Sequence, residues 1–168
     1  RKEENEMKLK KIKRMVAVGT AILMTLSLAG CGIGSDSVKL GAAGVGGGYY
    51  AFSNAFAQIA SSEDEDLDFE VKATAGSTAN IRLLSDGYVD MAIAQADLVD
   101  AAYNGTGATD KKRYRGYSAV ASLYTEACQI VVRADSGIDS LDDLQGKKIS
   151  VGEEESGTQR NAEQILKM

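Results

Sequence analysis

The feature that most constrains the fold of this chain is an alternation of short β-like runs with segments of helical spacing. The predicted strands in this alternation are residues 38–40, 68–73, 91–95 and 148–152. Strands that alternate with helices are typical of an α/β fold with a mainly parallel sheet. The carboxyl ends of such strands meet at one edge of the sheet, where ligands commonly bind.

The remaining elements follow from spacing and from turn residues. The predicted helices are residues 49–60, 77–87, 97–103, 140–145 and 158 onward. Ser77 is predicted to cap the second of these helices, because a serine hydroxyl accepts hydrogen bonds from free N–H groups. Residues 117–124 and 127–133 are predicted as two strands, or as one long crossing segment, because almost no turn separates them.

Three junctions between a strand and a helix carry the candidate site: residues 41–50, 74–80 and 152–158. Each places small or hydroxyl residues at a helix start, where unpaired N–H groups and the helix dipole favour an anion. One such junction alone indicates no more than a helix cap. Three at one sheet edge predict a pocket for a small anionic or zwitterionic molecule, most simply a carboxylate. The candidate ligand-binding residues of these junctions are Gly46, Gly47, Gly48, Tyr49, Tyr50, Gly76, Ser77, Thr78, Asn80, Ser156, Gly157 and Thr158.

Three further candidates lie at other strand ends. Gln95 follows a predicted strand and offers both a donor and an acceptor. Asp97 lies two residues further on, where it is either a ligand contact or the cap of the next helix. Tyr124, with Glu126 close by, lies in the expected crossing segment formed by residues 117–133.

Composition narrows the chemistry. The chain has no histidine, which removes serine–histidine and cysteine–histidine catalysis and the commonest transition-metal ligand. We therefore expect no enzyme activity, no cofactor and no metal. Cys128 lies in the apolar run 127–132 and is predicted to be a buried small hydrophobe. From residue 31 onward the net charge is −9, which argues against a nucleic-acid partner.

The first thirty residues have the pattern of a signal peptide. Five basic residues between positions 8 and 14 precede the fourteen uncharged residues 15–28, a run shorter than the roughly 20 residues of a spanning helix. The sequence Leu-Ala-Gly then precedes Cys31, as in lipoproteins, whereas the alternative is an ordinary N-terminal anchor. We expect Met7 to be the start, Cys31 to carry a lipid such as palmitate, and residues 31–37 to be a linker. The domain is expected to be exported, either to the outer face of the cytoplasmic membrane, held there by the lipid, or to the periplasm.

Several motifs in order resemble one family. They are residues 39–41 with 46–50, 75–84, 90–97, 103–107, 119–124, 131–138, 143–148 and 156–158. Together they are similar to the TAXI solute receptors of tripartite ATP-independent (TRAP) transporters. The resemblance implies a two-lobed periplasmic-binding architecture that clamps a small organic acid or an amino acid such as glutamate. It also implies delivery to an ion-driven membrane permease, with the Gly-rich loop, the Gly-Ser-Thr junction, Gln95 and the Ser-Gly-Thr junction lining the cleft.

Two departures from that family pattern matter. Residues 124–127 replace a turn that often contains proline, and Glu153, Glu154 and Glu155 stand where small residues are usual. By this comparison residues 38–125 form the first lobe, and residues 126–168 are expected to form only the start of the second. The alternatives to a transport receptor are a surface lipoprotein acting as a ligand sensor or adhesion module, and a truncated fragment without function.

Overall fold

A computed structural model describes residues 37–107 and 111–166, and three parallel strands form its sheet. They are β1 (Val38–Gly41), β2 (Phe69–Lys72) and β3 (Met91–Ala92), in the order β2-β1-β3. The expected signal peptide, Cys31 and residues 32–36 of the linker lie outside the described residues. Val38 pairs with Phe69, and Leu40 pairs with Met91. All three strands lie close to the predicted positions, although β3 is shorter than residues 91–95.

Four helices accompany this sheet in the described residues. They are α1 (Gly48–Glu63), α2 (Ser77–Ser85), α3 (Ala96–Asn104) and α4 (Gly157–Leu166). Each lies where helical spacing predicted it, so the mixed α/β class with a parallel sheet is confirmed. The helix expected at 140–145 is a single 3-10 turn at Asp142–Leu144. Within the two described ranges no helix combines the length and apolarity needed to cross a bilayer.

The small core lies between β1 and α2. Leu40 of β1 and Ile81 of α2 are buried, as are Ala42, Ala79 and Val89. On the β2 side, the rings of Phe56 and Phe69 meet edge to face with centroids 5.3 Å apart, which packs α1 against the sheet. This arrangement fixes the helix starts at the carboxyl ends of the strands, as the sequence predicted.

The strands predicted at 117–124, 127–133 and 148–152 are wrong. These segments have no strand structure, and most of their residues are exposed. A β-strand exists only where a neighbouring strand accepts and donates its backbone hydrogen bonds, so β-favouring residues do not form one alone. The parallel ladder of the described residues ends at β2 and β3, and none of the three segments joins it.

The prediction that Cys128 is buried is also wrong, because the structure places this thiol at the surface. Its neighbour Val131 is 84% exposed, and Val120 is 85% exposed. An apolar run is buried only when another layer of structure covers it. No such layer covers this segment among the described residues.

Candidate ligand-binding site

Asn80 joins the ends of all three strands. This side chain is fully buried, and its Nδ2 donates to the carbonyls of Ala42 (2.5 Å) and Ile93 (2.8 Å), with a longer contact to Gly41 (3.3 Å). Its Oδ1 accepts a hydrogen bond from the Thr74 hydroxyl at 2.7 Å. The amide therefore holds the strand ends together, and its hydrogen-bonding groups already have protein partners.

Ser77, Gln95 and Gly157 meet at the carboxyl edge of the sheet. The Ser77 hydroxyl accepts a hydrogen bond from the backbone N–H of Gln95 at 3.1 Å. A β-carbon added to Gly157 would overlap the Gln95 amide and lie 3.0 Å from Ser77 Oγ. Gln95 Oε1 is buried and accepts no hydrogen bond from the described residues. The junctions at 74–80 and 152–158, far apart in sequence, are therefore packed directly on each other.

The predicted capping role of Ser77 is wrong, and so is the alternative in which Asp97 caps its helix. Gly76, at φ +120°, occupies the cap position of α2, and Ser77 is the first residue of the helix. Its hydroxyl is used by Gln95 instead of by its own helix. Gln95 itself is the cap residue of α3. Asp97 lies exposed in the first turn, where the helix dipole stabilises a carboxylate.

Tyr49 brings the first junction to the same place. Its hydroxyl donates to Glu126 Oε2 at 2.6 Å, and its ring meets that of Tyr124 edge to face with centroids 6.4 Å apart. The pKa of Tyr49 is raised well above its usual value, chiefly because burial disfavours the phenolate and then because of Glu126; the nearby Ser77 hydroxyl opposes this. The pKa of Tyr124 is also raised, mainly by burial and to a smaller extent by the charge of Glu126.

The third junction uses the hydroxyl of Ser156 for its own helix. Ser156 is buried, and its Oγ accepts a hydrogen bond from the N–H of Gln159 at 3.0 Å, which caps α4. Thr158 is exposed and lies against Gly152. A β-carbon on Gly76 would lie 3.5 Å from the Cα of Ser156, so the two junctions approach closely here too.

The helix start of α2 is occupied by the chain itself. The backbone N–H groups of Thr78 and Ala79 donate to the carbonyl of Glu155 at 3.1 and 3.2 Å. The Glu155 carboxylate also forms a bidentate pair with Arg82, with Nε–Oε1 at 3.1 Å and Nη2–Oε2 at 2.6 Å. This pairing raises the pKa of Arg82. The expectation that these N–H groups are free for an anion therefore does not hold in this conformation.

The remaining predicted residues lie around this centre without joining it. Gly46 and Gly48 are exposed, whereas Gly47 caps α1 and Tyr50 is half-buried in its first turn. A β-carbon on Gly46 would meet no atom within 4 Å. The structure thus brings Tyr49, Ser77, Gln95, Tyr124 and Gly157 together and leaves the Gly-rich loop largely open.

An open groove of about 760 Å³ adjoins this centre between α2, α3 and α4. Arg82, Glu155 and Arg160 are among the residues that line it. Arg160 is buried and pairs with Glu163, one turn further along α4, at 2.6 Å. Residues 37–107 and 111–166 contain no group of three or more Cys, Asp or Glu side chains placed to hold a metal ion.

Sequence reasoning did not identify Arg82 or assign Glu155 a partner. The glutamates at 153–155 stood out as a departure, but nothing local indicates which of them faces the interior. The sequence offers no signal that pairs Arg82 with one of these glutamates, because a partly exposed arginine can be solvated by water and the two residues are 73 positions apart.

The family of this chain follows from a comparison with protein-family models. A model described as the NMT1-like family matches residues 40–168, which include all of the sheet except Val38 and Lys39 and all of the junctions described above. Members of that family bind solutes in the periplasm and typically act outside the cytoplasm. This chain belongs to the NMT1-like family of periplasmic solute-binding proteins.

Proposed function

We propose that this protein binds a small zwitterion, an amino acid such as glutamate, at the carboxyl edge of its sheet. The observation that carries the proposal is the meeting of Tyr49, Ser77, Gln95 and Gly157 from four separate parts of the sequence. Convergent polar groups at such an edge are typical of ligand sites in open α/β sheets.

The chemistry of the converging groups favours a ligand with an amino group. Glu126 supplies a carboxylate held by the Tyr49 hydroxyl, and the Tyr49 and Tyr124 rings lie beside it. A carboxylate and aromatic faces are the groups that stabilise an ammonium ion. Gln95 Oε1 is a further acceptor without a partner among the described residues. The ligand carboxylate is matched by the Ser77 hydroxyl and by the N–H groups of Gly157 and Thr158 at the start of α4, since Ser156 already caps the N–H of Gln159.

Binding without catalysis is part of this proposal. The chain lacks histidine, and its cleft carboxylate is used to hold Tyr49. Binding needs complementary polar groups but no general base, so these residues suffice for it.

The transport role and the anchor are proposed from the resemblance to TAXI receptors and from the leader sequence. The receptor would deliver its ligand to a TRAP-type permease, tethered to the membrane by a lipid on Cys31. Radioactive palmitate should label the full protein expressed in a lipoprotein-processing host and should not label a Cys31→Ala variant. Labelling of both forms would remove the anchor from the proposal.

Calorimetry on the full chain tests the ligand class. L-glutamate should bind, and Glu126→Gln should weaken it about tenfold or more, because a hydrogen bond to a charged group contributes about 1.5–3 kcal/mol. The affinity for succinate, which lacks the amino group, should change little in Glu126→Gln. Glu65→Gln makes the same change in charge on the exposed connection after α1 and serves as the control. The absence of binding by amino acids and organic acids alike would refute the proposed function.

A further inference from the structure

We propose that the Arg82–Glu155 pair is a latch that keeps the two halves of the ligand site closed on each other, so that ligand entry requires it to open. This inference rests on the proposed function and adds a regulatory contact to the same site. Neither residue was among the candidate ligand-binding residues.

The first argument is the lack of space between the two junctions. Gly157 lies so close to the Gln95 amide that even a methyl group would overlap it, and Ser77 Oγ borders the same spot. Gly76 and Ser156 are also in near contact. An amino acid therefore cannot lie between the Ser77 and Gly157 sides until the 152–158 junction moves away from α2.

The second argument is what holds that junction in place. Glu155 contacts α2 in two ways. Its carbonyl accepts hydrogen bonds from the N–H groups of Thr78 and Ala79, and its carboxylate accepts two hydrogen bonds from Arg82. Through Arg82 the carboxylate therefore connects Glu155 to the second turn of α2, whereas the carbonyl of Glu155 contacts the first turn. A planar guanidinium that meets a carboxylate with two hydrogen bonds fixes orientation as well as distance.

The third argument is that the Arg82–Glu155 pair can open readily. Glu155 has a φ of +63°, a left-handed conformation that non-glycine residues rarely adopt. The side chains of Arg82 and Glu155 remain 38% and 40% exposed, so water competes for the pair. A strained backbone held by a solvent-accessible ion pair opens more readily than a buried contact. The groove of about 760 Å³ beside the pair gives solutes access to it.

Amide hydrogen exchange tests the latch without any ligand. In Glu155→Ala the amides of Thr78 and Ala79 should exchange about fivefold faster, the factor that corresponds to ~1 kcal/mol for an exposed pair. Arg82→Gln should give the same acceleration, and the double variant should add little to either, because both remove one interaction. Glu154→Ala, in the same loop with the same loss of charge, should leave these amides unchanged.

A second pair of variants separates the ion pair from the backbone. Glu155→Gly also removes the carboxylate but relieves the left-handed strain, so it should accelerate exchange less than Glu155→Ala does. If Glu155→Ala fails to fold, Glu155→Gln supplies the uncharged comparison. Unchanged exchange at Thr78 and Ala79 in Arg82→Gln, together with Glu155→Ala or its Gln substitute, would overturn the latch.

Calorimetry with L-glutamate then tests the role of the latch in binding. When only a fraction of the protein is open, the apparent Kd rises by the inverse of that fraction, so releasing the latch should tighten binding by up to about fivefold. Faster exchange with no gain in affinity for a ligand that does bind would overturn the link to entry. If no amino acid binds to any variant, the proposed function fails, while the exchange result still decides whether the latch exists.

Discussion

The side chain of Asn80 offers the sharpest test of how this fold is held together. Its Nδ2 donates to the carbonyls of Ala42 and Ile93 at 2.5 and 2.8 Å, and its Oδ1 accepts from Thr74 at 2.7 Å. A buried neutral hydrogen bond contributes about 1 kcal/mol net, so Asn80→Ala should lower the free energy of unfolding by about 3 kcal/mol. That is a large part of the ~5–15 kcal/mol that stabilises a typical domain.

The details of the network refine this estimate. The Ala42 carbonyl also accepts from the Thr74 hydroxyl, so it keeps a partner in the variant. Among the described residues the Ile93 carbonyl accepts a hydrogen bond only from Asn80, so the variant leaves it unsatisfied, which costs about 1–3 kcal/mol by itself. Asn54→Ala is the matched control, since Asn54 is exposed on α1 and its Nδ2 donates only to the carbonyl of Tyr50 within the part of the chain that the structure describes. It should change stability by no more than about 0.5 kcal/mol.

Urea unfolding of both variants measures these differences as shifts of the midpoint at constant m.

Asn80→Asp tests whether the side chain at this position acts as a hydrogen-bond donor. It replaces the donor by an oxygen that faces three carbonyls, so its carboxyl pKa should be raised in the folded state. Its folded form should therefore be relatively most stable at low pH and lose stability as the pH rises through that pKa. A loss below about 1 kcal/mol for Asn80→Ala, combined with loss of ligand binding, would refute the structural role and make Asn80 a ligand contact.

Three other predictions test separate parts of the structure. Because the pKa of Tyr49 is raised in the folded state, stability should fall as the pH rises above about 10, where unfolded tyrosines ionise, and Tyr49→Phe should lessen that fall in urea titrations. Gly76→Ala should lose about 1–3 kcal/mol in the same assay, because φ is +120° there, whereas Gly46→Ala, with no neighbouring atom within 4 Å, should lose almost nothing. The Cys128 thiol should react with a thiol reagent in the native protein as fast as in urea, and protection in the native state would contradict its exposure.

Much of the first half of the described fold was predictable from sequence. Helical spacing located α1 and α2, a short apolar run that ends at Gly41 located β1, and alternation of side chains located β2. These signals are local, because a helix forms its hydrogen bonds within one segment and its buried face repeats every 3.6 residues. The convergence of the junctions at one sheet edge also followed, since parallel strands end on the same side.

The location of the candidate site was predictable from sequence, but the contacts of its side chains were not. Glycines and hydroxyl residues at helix starts located it, but their individual partners did not follow from type. Ser77 bonds the Gln95 backbone instead of capping α2, and Asn80 holds strand ends together. A side chain of a given kind has many possible partners, and which one it meets depends on how the elements pack.

The sequence by itself determined the alternation of strands and helices and the place where the junctions collect, because both follow from short-range periodicity and turn chemistry. The tertiary structure alone decided that residues 117–133 form no strand, that Cys128 is exposed and that Glu155 holds Arg82. Each of these depends on whether a second segment, distant in sequence, lies close enough to pair with or to cover the first. Local pattern carries no information on that proximity, so only the packed chain settles it.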